Sequence, residues 1–504
     1  MEGLGGLRGQ VFSGLAWKVL SQVVGQGGRL VVAVLLARLL APRDFGLAGM
    51  CLVFSSLVLV FSDLALGAAL VQREKLGDND RATAFWTSVG AGIVFTLVGL
   101  AAAGPLAAFY NEPDVKPLLM VLSSTFLISS IATTHEALLV RELQFRAVEL
   151  RVMVGLLFGA AAGVITALQG GGPWAIIAQQ VTTALVTTIL IVKRSPWRPT
   201  LRFSRAALRD MGGFSGFVLG HRLLYYIHRN ADNLLIGRFV GAAGLGIYGL
   251  AYNVMLIPFS RIAGPIQQVL FPAFSRMQDQ PERIAALWIR ATRLVGAISI
   301  PALCGLVVVA PDFVPVIFGD RWNDAVPLIQ ILAWVGLLQS LQTLNTEILQ
   351  ARDRTSTIFR FSLVFFVAHL VAFVVGLHWG VVGVAAAYAI SSTLVEPVFT
   401  WLTARAVGIS PLRLVQSFWG VIQASVVMGA TVYVLRSVLV NAGAGEFVRL
   451  MLCVLAGILV YVPLCAWRQP ELLDEIRRLR RGRIRGPATA AATPTQVVAV
   501  DPTA

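Results

Sequence analysis

Apolar and polar positions alternate along the chain on a long wavelength. Fourteen apolar runs, near 12–40, 45–70, 83–107, 117–139, 152–168, 173–192, 212–240, 245–273, 288–316, 325–350, 357–377, 380–403, 414–435 and 447–467, are separated by short polar stretches. A helix crosses a bilayer with roughly 20 mainly apolar residues, so the pattern predicts an all-α integral membrane protein with about fourteen transmembrane helices. The polar stretches sort by charge. Those at 71–82, 140–151, 193–212, 274–293, 351–360 and 404–413, with Arg8 and the arginines from Arg468 to Arg485, hold 29 Lys and Arg, whereas the intervening ones hold only Arg43, Lys116, Arg321 and Arg436. Basic residues mark the cytoplasmic side. The alternation therefore predicts that both termini are cytoplasmic, since one missed helix would reverse the side of every later loop.

The pattern also repeats. Residues 35–47, LLARLLAPRDFGL, return in outline at 235–247 as LIGRFVGAAGLGI. At an offset of 200, Arg29 aligns with Arg229, Arg38 with Arg238, Gly46 with Gly246 and Gly49 with Gly249. Six runs separate the copies, so the second starts on the same side as the first and the halves are parallel repeats about an axis along the membrane normal. The predicted organisation is an N-lobe over 1–200 with helices 1–6, a C-lobe over 201–408 with helices 7–12, helices 13 and 14 over 409–467, and a cytoplasmic tail over 468–504. The tail opens with the basic amphipathic stretch PELLDEIRRLRRGRIR, suited to an anionic leaflet, and continues in Pro, Ala and Thr, which cannot bury enough surface to fold.

Composition narrows the class. The 504 residues are 57% hydrophobic and 13% charged, with a mean hydropathy of +0.76, which excludes an ordinary soluble domain. The excess of 41 Lys and Arg over 26 Asp and Glu suits nucleic acid or an anionic membrane surface, and its confinement to one side selects the membrane. Cys51, Cys304, Cys453 and Cys465 lie inside apolar runs without CxxC spacing, which points to neither a disulfide framework nor a zinc site. The first run carries Lys18, Gln22, Gln26 and Arg29, unlike a cleaved signal, so helix 1 is expected in the mature protein. There is no Walker sequence, no metal-ligand cluster and no long outer loop with paired carboxylates, so no catalytic set and no cofactor are expected.

Charges inside spans are expensive and face protein or a wet cavity. In helix 1, Gln22, Gln26 and Arg29 share one face; in helix 7, Arg222, Tyr226, Arg229 and Asn233 do the same at corresponding positions. Both lobes thus present a cationic, hydrogen-bonding stripe where they would meet. A guanidinium forks onto phosphate oxygens, and Gln and Tyr suit sugar hydroxyls, making Arg29, Gln22, Gln26, Arg222, Tyr226 and Arg229 the candidate substrate residues. The competing reading pairs these arginines with Asp63, Glu136 or Asp232 as helix-to-helix struts. Asp63, Asp232, Glu347 and Glu396 are candidate sites for a coupling proton or cation, with buried ion pairs as the alternative. Pro258, Pro265 and Pro272, seven apart in helix 8, suggest a bending element.

The stretches LARLLAPRDFGL at 36–47, FSDLALGAALVQ at 61–72, EALLVRELQFR at 136–146 and VLFPAFSRMQDQPERI at 269–284 carry a resemblance. The chain resembles the polysaccharide transporter family, the Wzx-type O-antigen and exopolysaccharide flippases, of the multidrug/oligosaccharidyl-lipid/polysaccharide exporter superfamily. The resemblance implies two six-helix bundles forming a V around a central cavity, alternating access, and a substrate of oligosaccharide on undecaprenyl diphosphate. It places cationic residues of helices 1 and 7 at the cavity, which here are Arg29, Arg222 and Arg229. It implies a bacterial inner-membrane location and a place in lipopolysaccharide or exopolysaccharide biosynthesis, with polymerase and export machinery as partners. Helix 1 lacks the cation-binding acid frequent in the drug exporters of the superfamily. The alternatives are a cation-coupled drug or small-solute antiporter, a lipid II flippase and, from another class, a membrane glycan polymerase, ligase or glycosyltransferase. Outer loops of only about ten residues speak against the enzymes.

Overall fold

The computed structural model describes residues 17, 22, 25–62, 70, 71, 76–206, 208, 216–470 and 472, without the side chains of 59–62, 216–225, 228, 259–265, 268 and 269. Lys18, Asp63, the side chains of His221, Arg222, His228 and Pro265, and the tail beyond Leu472 lie outside the described residues.

All regular structure among the described residues is helical, as a bilayer demands: with no water to satisfy peptide groups, each spanning segment must satisfy its own. Residues 25–39 form α1. There follow α2 (Pro42–Ser62), α3 (Asp78–Tyr110), α4 (Val115–Arg141), α5 (Phe145–Leu168), α6 (Trp174–Arg194), α7 (Gly216–Phe239), α8 (Ala242–Arg276) and α9 (Pro281–Ile317). The next helix is broken into α10a (Ala325–Leu341) and α10b (Asn345–Ala351); then come α11 (Thr355–Gly376), α12 (Gly380–Ala406), α13a (Pro411–Ser417), α13b (Trp419–Asn441) and α14 (Glu446–Arg468). Nine helical stretches among the described residues are long and apolar enough to cross a membrane, one of them running from Thr355 to Ala406 through a 3₁₀ turn. The chain is a multi-pass membrane protein.

Helices extend past their apolar centres where polar residues carry the ladder into the interface; α3, for example, begins at Asp78 and is capped after Tyr110 by Asn111, whose φ of 57° is left-handed. Gly241, with φ 95°, turns α7 into α8, a conformation that glycine adopts without steric cost. α8 stays helical through Pro258, Pro265 and Pro272. The apolar run at 325–350 reads as one helix, but Gln342–Leu344 interrupt it.

Packing repeats at an interval of six helices. α3 lies along α4, α5 along α6, and α4 against α6; α9 lies along α10a, α11 along α12, and α10a against α12. α13b and α14 pair with one another and lie on α9. Small residues let the helices close in: Gly155, Gly159 and Gly163 of α5 face Thr187, Thr183 and Gln179 of α6, leaving no room for a Cβ at the first two. All four cysteines are free.

Candidate functional site

α2 and α8 cross closely where α1 turns into α2 and α7 into α8. A Cβ on Gly46 would overlap the Ala242 carbonyl, and one on Gly246 would overlap the Pro42 carbonyl and come within 3.1 Å of the Gly46 nitrogen. Around this crossing each half grips the other. Arg38, ending α1, donates to the Ile317 carbonyl at 2.9 Å and to the Val316 carbonyl, two of the acceptors left open at the end of α9. Trp322, fully buried, donates to the Ala37 carbonyl at 2.8 Å and meets Phe45 edge-on. On the other side, Arg238 sits 5.9 Å from the ring centre of Phe109 at the end of α3, and a Cβ on Gly237 would touch the Tyr110 ring at 2.8 Å.

Below this crossing lies a cavity of about 750 Å³ lined by α1, α2, α6, α7, α8 and Phe318. Its polar lining is Arg29, Ser56, Gln179, Asn230, Asn233 and Asn253, with Leu, Val, Ile and Phe between them, and no acid lines it among the described residues. Arg29 is exposed, and no acid pairs with it among the described residues. Such a wall is cationic at one point and otherwise neutral and hydrogen-bonding, suited to an anion carrying hydroxyls.

The other expected residues are placed as follows. Gln22 is exposed, and Gln26 is half-buried on α1 with Arg29. Arg229 is exposed one turn from Asp232, whose charge it feels. Tyr226 is buried, and its hydroxyl donates to the Val53 carbonyl of α2, so in this conformation it joins the halves and does not line the cavity. Asp232 is buried and accepts from the Tyr248 hydroxyl at 2.8 Å. Glu347 is half-buried, and Glu396 is buried with Gln342 donating to it at 3.1 Å. Glu136 pairs with Arg151 at 2.5 Å. No group of three or more His, Cys, Asp or Glu able to hold a metal occurs among the described residues.

Asp312 of α9 was not singled out by sequence pattern. It is 1% exposed and sits between Arg436 of α13b at 2.5 Å and Arg449 of α14 at 2.7 Å. Its partners lie far along the chain, and the one local signal was an acid inside the apolar run VVVAPDFVPVIF. Asn230, Asn233 and Asn253 also gain their significance only from the cavity.

The apolar helices and the polar chamber among α1, α2, α6, α7 and α8 define the class, a multi-pass membrane protein with a cavity inside its helical packing. More particularly, the chain belongs to the polysaccharide biosynthesis protein family, whose sequence profile matches residues 35–327. It is 31% identical over 359 residues to the lipopolysaccharide biosynthesis protein WzxC of Escherichia coli (strain K12), covering 71% of this chain and 73% of that one. It is 28% identical over 483 residues to the teichuronic acid biosynthesis protein TuaB of Bacillus subtilis (strain 168), covering 94% and 99%. Among solved structures, the lipid II flippase MurJ in an inward closed conformation shares the fold with a TM-score of 0.72 at 14% identity, covering 92% of this chain and all of that one.

Proposed function

We propose that the protein is a flippase that carries an oligosaccharide on undecaprenyl diphosphate from the cytoplasmic to the outer leaflet of a bacterial inner membrane, for exopolysaccharide or O-antigen-type assembly. A diphosphate and a hydrated glycan cannot cross hydrocarbon, whereas a polyprenyl tail can stay in it. The observation that carries the reading is Arg29: among the described residues it is an exposed guanidinium in a cavity that no acid lines, and no acid is paired to it. An unpaired charge at membrane depth is tolerable when an anion visits it, and a diphosphate matches its fork. The kinship with proteins of lipopolysaccharide and teichuronic acid biosynthesis, and the fold shared with a lipid II flippase, agree with this chemistry. A small-solute antiporter fits less well, since an acid-lined pocket is what it would need.

In this reading fourteen helices form an N-lobe over 1–200 and a C-lobe over 201–408, with helices 13 and 14 over 409–467, both termini cytoplasmic and a basic tail over 468–504. The Gly46–Gly246 crossing is then the outer gate, and access alternates as the lobes rock about it, with the proline-bearing α8 bending. Gln22, Gln26, Arg222 and Arg229 extend the site from Arg29, and Tyr226 joins it once its hydroxyl leaves Val53. Asp63, Asp232, Glu347 and Glu396 are the acids available to a coupling ion. The polymerase and export machinery are the partners that would receive the product.

The test is Arg29→Ala in a strain lacking the native gene, with glycan export, protein level and thermal stability measured together. Export should be lost while level and stability hold. Full export by the folded variant would remove Arg29 from the substrate site. Loss of stability in step with export would make Arg29 a strut.

A further inference from the structure

The break in α10 faces α12 through two rungs. Gln342 Nε2 donates to Glu396 Oε2 at 3.1 Å, and Asn345 Nδ2 donates to Thr400 Oγ1 at 3.2 Å. Glu396 and Thr400 are one turn apart on α12, so both rungs belong to one layer. The break is itself held by side chains, with Thr343 donating to the Ser340 carbonyl at 2.9 Å and Gln267 of α8 to the Thr343 carbonyl at 2.6 Å. Two acceptors in this layer have no donor: Glu396 Oε1 and Asn345 Oδ1, on residues 1% and 0% exposed.

No Lys or Arg pairs with Glu396 among the described residues. α12 packs on α7, α8, α10a, α10b, α11 and α13a, whose titratable groups include Asp232 of α7, Tyr252 of α8, Glu347 of α10b, His369 of α11 and the exposed Arg413 of α13a. Tyr388, two turns before Glu396 on α12, accepts from Gln339 at 2.9 Å and meets the His369 ring at 5.0 Å. Asp232 is taken by Tyr248, and Glu347 Oε2 is itself without a donor. A bare carboxylate at Glu396 would have neither a counter-ion nor enough donors, and burying such an ion costs several kcal/mol. One proton removes that charge and turns an acceptor into a donor, which is what a layer holding surplus acceptors lacks.

A second titratable group stands next to it. His369 is 1% exposed. Its Nδ1 lies 2.8 Å from the Phe365 carbonyl, which can only accept, so Nδ1 carries the hydrogen and Nε2 keeps its lone pair. Nε2 faces Ser392 Oγ at 3.2 Å, and Ser392, one turn before Glu396, lies beside the same carboxyl.

We propose that Glu396 holds, as a neutral acid, the proton whose departure and return drives transport, and that His369 receives it through Ser392. On release the Glu396 O–H bond breaks, Ser392 takes that proton as its own passes to His369 Nε2, and a carboxylate is left beside an imidazolium. Return reverses each transfer. This rests on the transport reading above, which names Glu396 only as one acid among four; it selects the proton over a metal cation and adds His369, which no sequence pattern marked.

The test uses purified full-length protein. Infrared difference spectra of wild type against Glu396→Gln, at neutral pH in choline chloride, should show a protonated carboxylic C=O band that the variant lacks; an ionised carboxylate there would overturn the proposal. Glu396→Gln, the isostere of the neutral acid, should keep wild-type thermal stability. If sodium chloride raises the melting temperature of wild type but not of Glu396→Gln, the site belongs to sodium and the proposal falls. In proteoliposomes with a trapped pH dye and a valinomycin-clamped potential, added undecaprenyl diphosphate should move protons in wild type, and His369→Phe should slow this at least tenfold. Unaltered flux in folded His369→Phe would remove that residue from the path. The infrared band does not depend on transport, so failure of the flippase reading through Arg29 and failure of this one are separable.

Discussion

Gly46 and Gly246, 200 positions apart, pack backbone to backbone, each against the residue that begins the other's helix: Ala242 for Gly46 and Pro42 for Gly246. The contact is reciprocal, as a two-fold relation between α2 and α8 requires. Its closeness leaves no space for even a methyl group, and the opposing atoms are main-chain carbonyls that cannot turn aside.

Gly46→Ala or Gly246→Ala should therefore oppose closure at this end without unfolding the protein. Overpacking costs roughly 1–3 kcal/mol, which shifts a two-state equilibrium by roughly 5-fold to 150-fold. In a background with the four native cysteines replaced, Asn233→Cys on the cavity wall should become more reactive toward a membrane-impermeant thiol reagent added from the outer side, and export should fall. Unchanged reactivity in both variants would mean that this crossing is not a gate.

Asp312 carries two arginines, and its removal leaves Arg436 without its acid and Arg449 with only the more distant Glu446, at 3.9 Å. Deleting one partner of a buried ion pair costs about 3–5 kcal/mol, so Asp312→Asn should lower the melting temperature markedly. Arg436→Ala and Arg449→Ala, each leaving the other arginine on the carboxylate, should do less. A thermal-shift series on the three variants in detergent decides this; a silent Asp312→Asn would mean that α13b and α14 are held by apolar packing alone.

Arg29→Lys retains the charge and loses the planar fork. Export should fall to a level between wild type and Arg29→Ala, with protein abundance unchanged. Activity equal to wild type would show that charge alone suffices and that the diphosphate is not gripped at two points.

Tyr226→Phe deletes the hydroxyl that donates to Val53. One such hydrogen bond contributes about 1 kcal/mol, so the contact between α2 and α7 should loosen by roughly fivefold, read as faster hydrogen exchange at the middle of α2. Export should drop only modestly. A loss as deep as that of Arg29→Ala would place the hydroxyl on the substrate.

The apolar runs locate the helices because bilayer spanning is a demand on composition, legible one segment at a time. The break at Gln342–Leu344 escaped that reading: residues 325–350 are apolar enough to run as one helix, and what holds them apart is Gln267 and Glu396, contributed by other helices. Arg29 was visible as a charge in a helix without acids. The equivalence of Gly46 with Gly246 was visible as a repeat, but nothing local says that equivalent residues touch. Asp312 and His369 carried no period and no motif. Their meaning is set by partners on other helices, and one sequence does not encode contact order in its hydropathy.

The basic stretch that leaves α6 is not a loose connection. Trp86 of α3 donates to the Thr200 carbonyl at 2.8 Å, the Ser204 amide donates to Thr83 at 2.9 Å, Arg198 donates to the Ser195 carbonyl at 2.6 Å, and Trp197 meets the Phe85 ring edge-on and the His135 ring at a tilt. As far as Ser204 the chain is a cuff fastened to the ends of α3 and α4, and it must travel with them. A rigid tag inserted between Ser195 and Ser204 would therefore pry the cuff away from the ends of α3 and α4.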